Sequence, residues 1–84
     1  MNYSLFILRR AQKELSGLPQ NDFDSICDEI RLLSDNPHPL GSKKLTGRSG
    51  WRIRKGDYRI IYEIDDSTKK ITVLHIGRRK DVYR

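Results

Sequence analysis

The sequence predicts an α+β fold in one domain covering residues 1–84, with an N-terminal strand and a two-helix hairpin packed on one face of a mainly antiparallel, twisted sheet of about four strands. Three observations carry this expectation. Apolar residues Phe23, Ile26, Cys27, Ile30 and Leu33 fall at i, i+3, i+4, i+7 and i+10, the spacing of a helix with one buried face. From Trp51 onward the period drops to two, and Trp51-Arg52-Ile53-Arg54 alternates large apolar with basic side chains. A chain of 84 residues is also too short to divide into two cores.

Each element follows from local signals. Residues 3–8 form an aromatic and aliphatic run without turn residues, which predicts the first strand. Ala11, Leu15 and Leu18 keep helical spacing over residues 9–17, and Gly17-Leu18-Pro19 supplies the stop. Asn21 or Asp22 is expected to cap the second helix, which ends near Asn36 because Pro37 and Pro39 deny further hydrogen bonds. A loop rich in Pro, Gly and Lys is expected to about Gly50. Gly56-Asp57 then joins two alternating strands as a two-residue hairpin. In that register Lys55 faces Tyr58, Arg54 faces Arg59, Ile53 faces Ile60 and Trp51 faces Tyr62. Asp65-Asp66-Ser67-Thr68 makes the next turn, and residues 70–76, apolar on both faces, predict a central strand ended by Gly77.

Composition narrows the function classes. With 36% apolar and 33% charged residues the chain can build one thin core beneath a solvated surface. Its longest apolar run, Leu5-Phe6-Ile7-Leu8, is far below the roughly 20 residues of a spanning helix, so no membrane segment is expected. A single cysteine, Cys27, and two histidines supply neither an internal disulfide nor a zinc ligand set. The cytoplasm is the expected compartment, with no metal and no cofactor. Cys27 reads as a small core residue, His75 as a core histidine bonded to backbone and His38 as an exposed loop residue.

Charge is more informative. The net charge of +6 splits unevenly, residues 1–42 carrying −2 and residues 43–84 carrying +8. Such a concentrated basic field favours a polyanion or a strongly acidic protein partner. The predicted hairpin puts Arg52, Arg54 and Arg59 on one open sheet face, with Arg54 directly opposite Arg59. Like charges in that position are destabilising unless an anion sits between them. Guanidinium groups suit phosphate because their planar donor fork pairs with two oxygens and stays charged. The competing arrangement has Glu63 and the Asp65-Asp66 turn neutralising these arginines as surface pairs. The basic tail adds Arg78 and Arg79, which a strand ending at Gly77 brings near the same face, and Tyr83, which joins them or packs down as an anchor. No glycine-rich phosphate loop, carboxylate pair or Ser/His/Asp set is present. Cations with a tyrosine suit metal-free RNA cleavage, in which the ribose 2′-OH is the nucleophile and fixed cations stabilise the phosphoryl oxygens.

These residues also resemble a family. Asn36-Pro37-His38-Pro39-Leu40-Gly41, Lys44-Leu45-Thr46-Gly47, Trp51-Arg52-Ile53-Arg54, Gly56-Asp57-Tyr58-Arg59-Ile60-Ile61-Tyr62 and Ile76-Gly77-Arg78-Arg79-Lys80-Asp81-Val82-Tyr83-Arg84 look, in this order and spacing, like the RelE/ParE toxin superfamily, closest to its RelE branch. The resemblance covers essentially the whole chain. It implies a RelE-like microbial ribonuclease-type fold and a bacterial or archaeal type II toxin that cuts mRNA in the ribosomal A site. Such a toxin is silenced by a RelB-like antitoxin. The implied catalytic residues are Arg52, Arg54, Arg59, Arg79 and Tyr83, with Lys43, Lys44, Arg48, Lys55, Arg78, Lys80 and Arg84 as the surrounding RNA- and ribosome-binding surface. RelE itself has lysines where Arg52 and Arg54 stand, and many relatives have His where Arg78 stands. Arginine carries protons poorly, so Arg52 and Arg54 are expected to act electrostatically, leaving Tyr83 as general base and Arg79 beside the departing 5′ oxygen. A ParE-like inhibitor of DNA gyrase, or an inactive toxin retaining only antitoxin binding, shares the same scaffold.

Overall fold

A computed structural model describes residues 2–78. Strand β1 (Ser4–Ile7) leads into helices α1 (Arg9–Ser16) and α2 (Gln20–Asp35), followed by strands β2 (Lys43–Lys44), β3 (Trp51–Lys55), β4 (Tyr58–Asp65) and β5 (Lys70–Arg78). The sheet runs β1-β5-β4-β3-β2, with β1 parallel to β5 and every other pair antiparallel. The longest strand, β5, thus lies inside the sheet between β1 and β4, as its two-sided pattern predicts.

Four differences from the sequence reading have physical causes. The sheet has five strands rather than about four, because Lys43 and Lys44 pair with Arg52 and Trp51 inside the expected loop. Two lysines have no period to read, and Leu45, whose N–H donates to the Gly50 carbonyl at 3.0 Å, closes that ladder. Helix α2 starts at Gln20, with Pro19 in the cap position and no side-chain cap bond. Pro19 has φ −55 and ψ 151, outside the helical region, so Gln20 is the first helical residue. Asn21 and Asp22 therefore lie inside the first turn, where an acid favours the positive end of the helix dipole. Strand β1 is shorter than residues 3–8, and β5 continues through Gly77 to Arg78.

The hairpin forms in the predicted register, Trp51 facing Tyr62, Ile53 facing Ile60 and Arg54 facing Arg59. Gly56 turns it with φ +59, a conformation that costs glycine nothing. Both helices cover one face of the sheet. Ala11 and Leu15 from α1 and Ile26, Ile30 and Leu33 from α2 pack on Ile53, Ile60, Tyr62, Ile71, Val73 and Ile76. Cys27 packs, half-buried, against this cluster. Each fully buried aliphatic side chain contributes about 1.5–3 kcal/mol. Among the described residues no helix is long and apolar enough to cross a membrane.

Tyr62 ties the core to the loop after α2. Its ring is fully buried, and its hydroxyl donates to the Pro37 carbonyl at 2.7 Å. Burial pushes the phenol up to about 12, against a smaller downward pull from Ser42. Removing the hydroxyl in Tyr62→Phe leaves that carbonyl unpaired and should cost about 1–3 kcal/mol in urea unfolding. The unfolded chain loses the phenolic proton near 10 while the folded chain keeps it to about 12. The wild type should therefore lose stability as pH rises through that window, more steeply than Tyr62→Phe does.

Candidate functional site

The face of the sheet turned away from the helices is built by cross-strand register. Arg54 on β3 lies opposite Arg59 on β4, and Arg52 lies opposite Ile61. Lys43 pairs with Arg52 across the β2 edge, while on the other side Arg59 pairs with Gly77 and Ile61 with His75. Residues directly opposite share a face, so Lys43, Arg52, Arg54 and Arg59 form one cationic row that ends at a glycine.

This face is recessed where the sequence reading expected it open. Arg52 is 9% and Arg59 4% exposed, and Ile61 beneath them is buried. The Arg59 Nε is buried with no hydrogen-bond partner. An ionised donor left unsatisfied in this way is expensive, because water has been removed and nothing replaces it. The acids that were the alternative neutralisers are engaged elsewhere. Glu63 accepts the Ser49 hydroxyl at 3.0 Å, and Asp66 accepts the Tyr3 hydroxyl at 2.5 Å. Asp65 closes its own turn, and Ser67 first, then Thr68, hold its carboxyl below the usual carboxylate range. Among the described residues no ion pair reaches Arg52 or Arg59. Lys43, Arg52 and Arg54 also line a cleft of about 270 Å³ together with Glu29, Pro39 and Leu40.

The other sequence-derived cations fall in different places. Lys55 and Arg78 both lie opposite Tyr58 and so belong to the helix-covered side. Lys55 approaches Glu29 at 3.9 Å, and the Arg78 guanidinium sits 5.7 Å from the centre of the Tyr58 ring. Arg78 was expected near the arginine face, but strand alternation continues through Gly77 and turns it away. Lys44 lines a separate cleft of about 520 Å³ with Trp51, Glu63, Asp65 and Lys70, and Arg48 is exposed in the loop before β3. Arg79, Lys80, Tyr83 and Arg84 lie outside the described residues. No cluster of three or more metal-ligating side chains occurs among the described residues.

His75 is buried, but side chains rather than backbone hold it. Its Nδ1 lies 2.6 Å from Glu14 Oε2 but off the N–H direction, so the two atoms touch without an aligned hydrogen bond. Sequence reasoning passed over Glu14. The available signal was its place between Ala11 and Leu18, at helical spacing from both, which sets an acid on the apolar side of α1.

Chemically, this face suits an oxyanion such as phosphate, which its guanidinium groups can bind and neutralise. The four cations of the row donate hydrogen bonds and supply no base themselves.

Comparison with known proteins places the chain. Residues 5–83 match the family described as ParE toxin of type II toxin-antitoxin system, parDE. Toxin RelE of Mycobacterium tuberculosis is 35% identical over 98% of this chain and 87% of its own length. Toxin RelG of the same organism is 28% identical, covering 100% of this chain and 99% of its own. The archaeal RelE–RelB complex from Pyrococcus horikoshii superposes with a TM-score of 0.84 at 29% identity, over 94% of this chain and 97% of that one. The RelBE2 toxin–antitoxin complex from M. tuberculosis has the same fold, with a TM-score of 0.84 at 24% identity over 94% and 93% of the two chains. A two-helix layer on a mixed sheet, matched over nearly its full length, makes this chain a RelE-like member of the ParE/RelE toxin family of type II toxin–antitoxin systems.

Proposed function

We propose that this toxin is a metal-independent endoribonuclease that cleaves mRNA in the ribosomal A site, and that a RelB-like antitoxin silences it. One observation carries the reading: Arg59 is buried with an unsatisfied Nε and faces Arg54 across the hairpin. A scissile phosphate supplies the acceptor that Arg59 Nε lacks. In the reaction O2′ attacks phosphorus, the P–O5′ bond breaks, and the products are a 2′,3′-cyclic phosphate and a 5′ hydroxyl. Arg52, Arg54 and Arg59 stabilise charge developing on the phosphoryl oxygens. In this reading Tyr83 takes the proton from O2′, Arg79 stabilises the departing O5′, and water supplies the proton that makes O5′ a hydroxyl. Lys43, at the end of the row, holds a neighbouring phosphate. The ribosome presents the strand, which explains how so few groups suffice: orientation comes from the substrate's carrier. The partner antitoxin must bring acidic or amphipathic chain over a surface whose second half carries +8.

The match to a family described as ParE keeps a second reading in play, inhibition of DNA gyrase by binding. Primer extension on a defined mRNA, with and without programmed ribosomes, separates the two. Cleavage is expected only with ribosomes, and Arg59→Ala should lower its rate by about 10²–10³. Tyr83→Phe should lose activity while melting like the wild type. No cleavage under any condition, together with gyrase inhibition, would favour the second reading.

A buried cation kept for substrate also predicts an opposition between activity and stability. Arg59→Met fills similar space without charge and should unfold at equal or higher urea concentration, by up to about 2 kcal/mol, while being inactive. Marked destabilisation of Arg59→Met would mean that Arg59 has a structural partner.

A further inference from the structure

We propose that Glu14, on α1, is a positioning residue for the arginine site: it clamps a bulge in β5 and so fixes the register that sets Gly77 beside Arg59. The consequence for activity rests on the nuclease reading; the structural cause stands on the sheet alone.

Strand β1 covers only the first part of β5, Ser4 to Ile7 pairing with Lys70 to Val73, and its last bond runs from Leu8 N–H to the Val73 carbonyl at 3.0 Å. Beyond Val73 the outer edge of β5 faces α1 instead of a strand. On its other side β5 breaks register. Tyr62 pairs with Val73 but Ile61 pairs with His75, so Leu74 is the extra residue of a bulge. Were the ladder regular, Arg59 would face Ile76, and a branched side chain would share its side of the sheet. The bulge moves pairing on by one residue. Gly77, with no side chain, then lies beside Arg59, and Ile76 pairs with Ile60 and is buried in the core. One slipped residue thus decides whether the anion-facing side of Arg59 is free or filled.

A single carboxylate holds this arrangement. The Ile76 N–H, turned to the outer edge where no strand accepts it, donates to Glu14 Oε1 at 2.8 Å. Glu14 Oε2 lies 2.6 Å from Nδ1 of His75, the next residue after the extra one. Arg10, one turn earlier on α1, sits 3.4 Å from the same oxygen and 3.4 Å from His75 Nε2. Both Glu14 oxygens are therefore committed to the segment that follows the bulge. Without them Ile76 keeps an unpaired N–H at a covered edge, and the regular register becomes competitive.

The test compares wild type, Glu14→Ala, Glu14→Gln and the core variant Ile30→Val in ribosome-dependent cleavage and in amide exchange. Glu14→Gln keeps a carbonyl oxygen for the Ile76 N–H, and Ile30→Val reports on general loss of stability. Glu14→Ala should lower kcat by about ten-fold or more with KM nearly unchanged. Its Ile76 and Gly77 amides should exchange about ten-fold faster or more, while Ile60 stays protected. Glu14→Gln should restore both properties to near wild type. Wild-type kcat in Glu14→Ala overturns the proposal, as does a loss of kcat that Ile30→Val reproduces. If the wild type itself cleaves nothing, the nuclease reading fails, and exchange alone decides the register claim. Faster exchange confined to Ile76 and Gly77 then sustains it, and unchanged or uniform exchange overturns it.

Discussion

Two guanidinium groups stand opposite each other across a tight hairpin, and one of them is sealed from water without a partner for its Nε. That arrangement is unfavourable in the isolated chain through the lost hydration of Arg59. It persists because the same two strands present Ile53, Ile60 and Tyr62 to the helices on their other face. Period-two alternation couples the two faces rigidly: any register that buries Ile53 against Ile60 also sets Arg54 against Arg59. The apolar layer thus forces the charged one into place. In the proposed nuclease reading, a site made in this way is preorganised before substrate arrives, so little reorganisation is needed when charge develops on phosphate.

The remaining elements serve that constraint from the flanks. The two-residue strand β2 brings Lys43 to the end of the arginine row, and the bulge in β5 keeps the opposite end clear. Helix α1 supplies more than apolar cover, because Glu14 reaches the stretch of β5 that β1 is too short to pair. Charge separates along with structure. Residues 1–42 carry −2 and residues 43–84 carry +8, an asymmetry of the kind that favours polyanions.

Much of this was legible in the sequence, and the boundary of legibility is physical. The 3.6-to-2 change of period located both helices and the hairpin, and Gly56-Asp57 fixed cross-strand register to the residue. With register came the Arg54–Arg59 pair. What escaped were features that leave no periodic trace. Strand β2 is two lysines long, and the α2 start depends on the conformation of Pro19 rather than on a capping side chain. Burial of Arg52 and Arg59 was misjudged because strand alternation reports the face of a side chain and not its depth. The bulge at Leu74 is a register defect between strands that carries no local signal. It turned Gly77 to the arginine row, and alternation through Gly77 sent Arg78 to the Tyr58 side. Glu14 left a mark, an acid among the apolar positions of α1, yet its partners lie about sixty residues away.

The central claim is that an anion completes the face formed by Arg52, Arg54 and Arg59. Thermal unfolding against increasing inorganic phosphate tests it without RNA, ribosome or antitoxin, since a ligand bound only to the folded state raises its melting temperature with concentration. Arg59→Met, compared over the same series, removes the general effect of salt on stability. Saturable stabilisation of the wild type that is absent in Arg59→Met is the predicted result. Parallel curves for the two proteins would contradict the claim and leave the buried arginine without a functional reason.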